Sequence, residues 1–106
     1  MKNLPKRTTN LYRAILSLKN ENEARKFFRD LLTEIEIEEF SRRFEVVQML
    51  DKGLPYTEIE NKTRMSSTTI ARISKFLNGS FGGYRLILDR LNHHHKSSLL
   101  EGKDLC

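Results

Sequence analysis

The 106-residue sequence has too little cysteine for a disulfide-stabilised protein and no apolar run suited to a membrane protein. Its single cysteine is Cys106, so no intrachain disulfide can form, and a reducing compartment is expected. No stretch approaches the roughly 18 consecutive apolar residues of a membrane span. The basic start, residues 1–7, is not followed by the apolar run of a secretory signal. We therefore expect a small cytoplasmic protein with no membrane partner.

Glycine and proline are also scarce, with five and two residues, and no two alternating apolar segments are joined by a hairpin turn. Instead, apolar residues recur at the three- and four-residue spacing of amphipathic helices. The predicted inward stripes are Leu11, Ile15 and Leu18; Ala24, Phe27, Phe28, Leu31 and Leu32; Phe40, Phe44, Val47 and Leu50; and Tyr84, Ile87, Leu88 and Leu91. The fold class is predicted to be all-α.

Helix starts are marked by the capping-box pattern, in which a short polar residue precedes an acid by three positions. The predicted pairs of cap and acid are Asn20–Glu23, Thr33–Glu36 and Thr57–Glu60. The helix that begins after Thr33 is expected to end near Asp51, with Gly53 as a left-handed residue after its C-terminus.

Acidic residues are missing from residues 62–75, although this stretch carries four basic residues, Lys62, Arg64, Arg72 and Lys75. The formal net charge of the chain is +5. A basic stretch without acids attracts a polyanion, because each phosphate contact releases condensed counterions. A solvated basic surface with no partner would show the same charges, so charge alone does not assign a function.

Residues 57–77 follow the pattern of a helix-turn-helix. A short helix beginning at Thr57 is followed within about two turns by a second cap, Ser66. The next helix, from Ser67 to Asn78, is expected to have Ile70, Ile73, Ser74 and Leu77 on one face. Small residues on the other face can approach base edges, while long basic ones reach guanine or phosphate. The predicted DNA-contacting residues are Thr57, Ser66, Ser67, Thr68, Ala71, Arg72 and Lys75. A helical hairpin that binds a protein partner is the alternative.

A family resemblance is carried by the segment from Gly53 to Asn78, with Thr-Ile-Ala-Arg-Ile-Ser at residues 69–74, and by Gly82-Gly83-Tyr84 after it. Over about residues 10–91 the chain resembles the Trp-repressor superfamily, in its YerC/YecD-like branch. The resemblance implies six helices, a homodimer with intertwined N-terminal helices, and a role as a repressor that binds double-stranded DNA operators. We expect Phe27, Phe28, Phe40 and Phe44 to lie near or across the dimer interface.

The chain departs from the family pattern at the turn between the two DNA-binding helices. The family pattern usually has glycine in this turn, whereas this sequence has Arg64. A left-handed conformation costs an arginine about 1 kcal/mol, so a slightly remodelled turn is expected.

In the ligand-responsive repressors of this superfamily, two arginines sandwich an indole beside a threonine, a glycine and a serine. The resemblance assigns the arginines to Arg43 and Arg72 and the threonine to Thr69, whereas the glycine and serine positions hold Ile73 and Phe76. Two bulky core residues would overpack a pocket that also held an indole. We expect a vestigial, self-filled pocket and no cofactor; a repressor that responds to L-tryptophan or another small ligand is the alternative.

The remaining motifs predict no chemistry. Three adjacent histidines, His93 to His95, point in different directions rather than converging on a metal, and residues 78–83 lack the strand and lysine of a phosphate-binding loop. We expect no enzyme activity.

The predicted organisation is a flexible basic N-terminus at residues 1–9, a dimerisation and DNA-binding domain at 10–91, and a polar tail at 92–106.

Overall fold

The computed structural model describes residues 5–93, and within that range it contains six helices and no strand. The helices are α1 (Lys6–Leu16), α2 (Glu21–Leu31), α3 (Glu34–Asp51), α4 (Tyr56–Thr63), α5 (Ser67–Leu77) and α6, which runs from residue 83 to the last described position, 93. The all-α prediction is confirmed. Residues 6–9, expected to be flexible, form the first turn of α1. None of the helices in the described range is long and apolar enough to cross a membrane.

Two of the three caps predicted from capping-box pairs are present. The Asn20 Oδ1 atom accepts a hydrogen bond from the Glu23 backbone N–H at 2.9 Å. At the start of α3 the Thr33 hydroxyl accepts from the Glu36 N–H at 3.1 Å. The Glu36 carboxylate in turn accepts from the Thr33 N–H at 2.9 Å, which completes a reciprocal capping box.

The predicted cap at Thr57 is wrong. The helix α4 begins one residue earlier, at Tyr56, after the extended residue Pro55, and no side chain caps it. Pro55 has φ −69° and ψ 153°, and its carbonyl accepts from the Glu58 and Ile59 N–H groups, each at 3.1 Å, so the first backbone bonds of α4 begin there. Thr57 therefore lies inside the first turn of α4.

The end of α3 agrees with the prediction. The helix ends at Asp51, and Gly53 has a φ angle of 80°. The Gly53 N–H donates to the Leu50 carbonyl at 3.0 Å, and the Leu54 N–H donates to the Met49 carbonyl at 3.1 Å. These two bonds are those of a Schellman motif, which requires a residue that tolerates the left-handed conformation.

The described residues from Phe40 onward, 40–93, form a compact unit with a core of their own. Its buried apolar residues are Val46, Val47, Ile59, Ile70, Ile73, Leu77 and Leu88. Arg85 on α6 donates to the Asp51 carboxylate at 2.8 Å, which attaches α6 to the end of α3. Phe40 was predicted to point inward but is exposed, whereas Val46 was not predicted and is fully buried.

The described residues up to Glu39 form a second compact unit, and the predicted domain bounds at 10–91 stay a prediction. Neither α1 nor α2 contains a buried residue. The apolar stripes of both helices are only partly covered. Outside those stripes, Leu16 on α1 is 83% exposed and Ile35 on the first turn of α3 is 80% exposed. Two short amphipathic helices offer too little surface to enclose each other's apolar faces. This unit has no closed core within one chain.

Candidate nucleic-acid interface

The helices α4 and α5 are held together by a buried contact and a short turn. Ile59 on α4 and Ile70 on α5 are both fully buried in the same core. Thr63 closes the end of α4, since its hydroxyl donates to the Ile59 carbonyl at 2.7 Å and accepts from the Met65 N–H at 3.2 Å. These contacts fix the direction in which α5 leaves the turn.

The turn itself contains Arg64 in the left-handed conformation, with φ 65° and ψ 15°. The Arg64 N–H donates to the Glu60 carbonyl at 2.8 Å and ends α4. The arginine thus adopts the conformation for which the family pattern uses glycine, and the turn is not remodelled to avoid it.

Ser66 caps α5 as predicted. Its Oγ atom accepts from the Thr69 N–H at 3.2 Å and donates to the Thr69 Oγ1 atom at 3.0 Å. The first turn of α5 holds no acidic residue, whereas the first turns of α2, α3 and α4 each hold at least one. The free N–H groups and positive dipole end of α5 are therefore available to an anion.

One side of α5 is buried and the other is open to solvent. Ile70, Ile73 and Leu77 are in the core. All seven residues predicted to contact DNA are exposed: Thr57, Ser66, Ser67, Thr68, Ala71, Arg72 and Lys75. At 3.6 residues per turn, the five on α5 fall within an arc of about 140°. This outward arc begins with small side chains and ends with basic ones.

The basic residues of this region have no carboxylate partner within residues 5–93. The ion pairs of the described residues do not involve Lys62, Arg64, Arg72 or Lys75, and all four side chains are exposed. Cations that are not neutralised within the protein retain their full attraction for phosphate.

The family model for the Trp repressor protein matches residues 6–92. The chain belongs to the Trp repressor family. It is 40% identical over 88 residues to the YerC protein of Bacillus subtilis (strain 168), covering 83% of this chain and 85% of that protein. Among solved structures it is similar to a TrpR-like protein from Eubacterium eligens ATCC 27750, with a TM-score of 0.79, 41% identity and coverage of 83% of this chain and 91% of the other. A Trp-repressor candidate from Staphylococcus aureus has a TM-score of 0.78 and 37% identity, covering 84% of this chain and 89% of that chain.

The structure places Ile73 and Phe76, the two bulky residues that the resemblance assigns to ligand positions, in different surroundings. Ile73 is 4% exposed and belongs to the core. Phe76 is 49% exposed, so its assignment to the core is wrong. On a helix, Phe76 lies seven positions after Thr69, on the same flank as Thr69 and beside the buried arc. Its ring stacks on Phe81, with centroids 6.2 Å apart and an interplanar angle of 18°.

The other residues that the resemblance assigns to the ligand pocket, Arg43, Thr69 and Arg72, are exposed or half-buried. Arg72 is exposed, and Thr69 is half-buried and bonded to Ser66. The Arg43 guanidinium carbon lies 5.4 Å from the ring centroid of Phe40, a cation–π distance. Phe81 was missed by the sequence analysis, because a phenylalanine in a glycine-rich loop belongs to no helical stripe.

Of the three adjacent histidines, only His93 lies within the described residues. His93 is helical and exposed, and His94 and His95 lie outside the described residues. Within residues 5–93, no three His, Cys, Asp or Glu side chains are placed to hold a metal ion.

Proposed function

We propose that the protein is a sequence-specific DNA-binding transcriptional repressor that binds double-stranded operators as a homodimer through α4 and α5. The observation that carries this proposal is the outward arc of α5, in which small side chains near the helix N-terminus are followed by Arg72 and Lys75. Neither of these cations has a carboxylate partner among residues 5–93. A recognition helix needs this order, because its N-terminal residues approach base edges in the major groove while longer side chains reach the phosphates.

Each part of the motif has a distinct task in this proposal. Ile59 and Ile70, both fully buried, hold α5 rigidly against α4. Ser67, Thr68 and Ala71 are short enough to let the helix enter the groove. Contacts from small polar side chains and the alanine methyl group to bases would supply sequence preference, while the cations would supply affinity that falls with salt.

The homodimer is supported by the unit that ends at Glu39. Its helices bury no residue, and an open cavity of about 250 Å³ on its surface is lined in part by Ala24, Phe28 and Ile37. Exposed apolar surface of this kind marks an interaction site. A second copy of the chain would supply equivalent helices to cover it and would present a second α5 to the next half-site, about 34 Å along the DNA.

DNA binding is tested with a selected duplex bound at several salt concentrations. We expect Arg72→Ala and Lys75→Ala each to weaken binding and to lower the salt slope by about one unit for each phosphate that is no longer bound. Thr68→Ala should change the preferred sequence more than the affinity. Lys52→Ala removes an exposed charge outside the α4–α5 region and serves as the control. A double variant of Arg72 and Lys75 that binds as tightly as the parent at the same salt would contradict the assignment of α5.

Dimerisation is tested by light scattering over a range of concentrations. We expect a homodimer at micromolar concentration, since the faces of α1 and α2 are uncovered in one chain. A stable monomer at that concentration would contradict the homodimer.

A protein-interaction module is a second candidate function, favoured by the exposed stack of Phe76 on Phe81. Salt-insensitive binding to one protein, with no salt-dependent binding to duplex DNA, would support this function instead.

The repressor is further proposed not to depend on L-tryptophan. Support comes from Ile73, which fills part of the core at the position where the ligand-responsive repressors have glycine. Phe76 contributes nothing to this argument, because it lies outside the core. Control by a ligand requires different affinities for two states, and a filled site provides none.

A further inference from the structure

Arg64 is the one residue other than glycine with a positive φ angle among residues 5–93. Its φ of 65° is in the left-handed region, where a side chain crowds the backbone and where glycine is most easily accommodated. Gly53 and Gly82 occupy the other two positive-φ positions of the described chain. Stability alone would therefore favour glycine at position 64.

Among the described residues, the Arg64 side chain makes no polar contact. The hydrogen bond that ends α4, from the Arg64 N–H to the Glu60 carbonyl at 2.8 Å, is made by the backbone and is available to any residue with an N–H. The guanidinium is exposed and has no hydrogen-bond or ion-pair partner within the described residues. A cation for the C-terminal dipole of α4 is already present, since Lys62 lies in the last turn of that helix.

The position of Arg64 indicates another role for the charge. It lies in the turn between α4 and α5, two residues before the cap Ser66, and in the stretch of residues 62–75 that contains no acid. Backbone strain of this kind persists where it serves a function. The planar guanidinium offers two parallel N–H donors, which match the geometry of a phosphate.

We propose that Arg64 binds a backbone phosphate of the DNA duplex, and that the protein keeps this contact at the expense of stability. The inference rests on the proposed DNA-binding function and adds a residue outside the α5 surface to it. The contact is to phosphate rather than to a base, so it adds affinity for every duplex and no sequence preference.

The test compares Arg64→Gly, Arg64→Lys and the control Lys52→Ala by binding to a labelled selected duplex and a labelled scrambled duplex at several salt concentrations. Lys52 matches Arg64 in being exposed and in following the C-terminal end of a helix. It differs in backbone conformation, because the residue with positive φ in that turn is Gly53 and not Lys52. Thermal melts without DNA provide the second readout.

For Arg64→Gly we expect affinity for both duplexes to fall by about three- to tenfold, and the salt slope to fall by about 0.9 for each Arg64 that binds a phosphate. The ratio of the two affinities should stay the same, and the melting temperature should be equal to or above that of the parent. Arg64→Lys should keep the salt slope because it keeps the charge. Lys52→Ala should behave as the parent.

Arg64→Gly binding with the parent's affinity and salt slope would overturn the inference, and so would an equal loss of affinity in Lys52→Ala. A lower melting temperature for Arg64→Gly together with weaker binding would also overturn it, by assigning the side chain to the fold. If Arg72→Ala weakens binding while Arg64→Gly does not, the inference fails and the proposed function stands. If the parent shows no salt-dependent binding to any duplex, both fail.

Discussion

Substitutions of Ile73 and Phe76 should affect stability very differently, although the resemblance assigns both residues to ligand positions. Ile73 is 4% exposed and packs in the core with residues such as Val46 and Val47. Phe76 is 49% exposed and stacks on Phe81, which is itself 75% exposed. We therefore compare Ile73→Ala with Phe76→Ala, and use Ile73→Val as a smaller change at the buried position.

The expected magnitudes follow from what each truncation removes. Ile73→Ala leaves a cavity in a closed core, and such changes lower the free energy of unfolding by about 2–5 kcal/mol; Ile73→Val should cost about 0.5–1.5 kcal/mol. Phe76→Ala removes one partly covered ring and its stacking on Phe81, which together should cost about 1–2 kcal/mol. The loss at Ile73 is a large fraction of the ordinary stability of about 5–15 kcal/mol.

The assay is urea unfolding followed by circular dichroism at one fixed subunit concentration, because the stability of a dimer depends on concentration. The midpoint should shift while the slope with urea stays the same, which would show that only stability has changed. A loss of stability for Phe76→Ala equal to or above that for Ile73→Ala would refute the reasoning, because it would place the Phe76 ring in a buried environment in solution.

Two further predictions follow from the caps and the ligand positions. Thr33→Ala should destabilise the protein by about 1 kcal/mol, because it removes the hydroxyl that accepts from the Glu36 N–H at 3.1 Å. Thr57→Ala should change the unfolding free energy by less than about 0.5 kcal/mol, since Thr57 caps no helix; equal losses of stability in urea melts would contradict the observed caps. L-Tryptophan at 1 mM should leave the melting temperature unchanged and give no binding heat on titration. A dissociation constant below about 100 μM would stabilise the protein by roughly 1.4 kcal/mol or more, and that shift would contradict a filled pocket.

The elements that could be predicted from the sequence are those set by neighbouring residues. The Thr33–Glu36 box, the end of α3 at Asp51 and the cap at Ser66 each depend on two or three positions close in the chain. The predicted start of α4 was wrong because two local rules for where a helix begins competed there. Thr57 fits a capping box and Pro55 fits a helix start, and the sequence contains no information that ranks them.

The candidate site was predictable to the extent that helical periodicity determines it. Periodicity separates the buried Ile70, Ile73 and Leu77 from the exposed arc of α5, and the structure confirms that separation. It does not place Phe76, which lies at the edge between the two arcs and is exposed because its neighbour is the loop residue Phe81 rather than the core. Which of the exposed residues contact DNA stays a prediction.

The helix α3 shows why apolar periodicity cannot predict what covers a face. Phe40 and Val47 share the predicted inward stripe, yet Phe40 is exposed in the single chain and Val47 is fully buried beside Val46. The stripe is defined only by the spacing of apolar residues. An apolar side chain fits that spacing equally well whether it is buried by its own chain or by a second copy. Ile35, on the first turn of α3, is more exposed than Phe40. The proposed homodimer assigns these uncovered residues at the start of α3 to the partner and the valines to the chain's own core, so oligomeric state is the measurement that decides whether the stripe was predicted correctly.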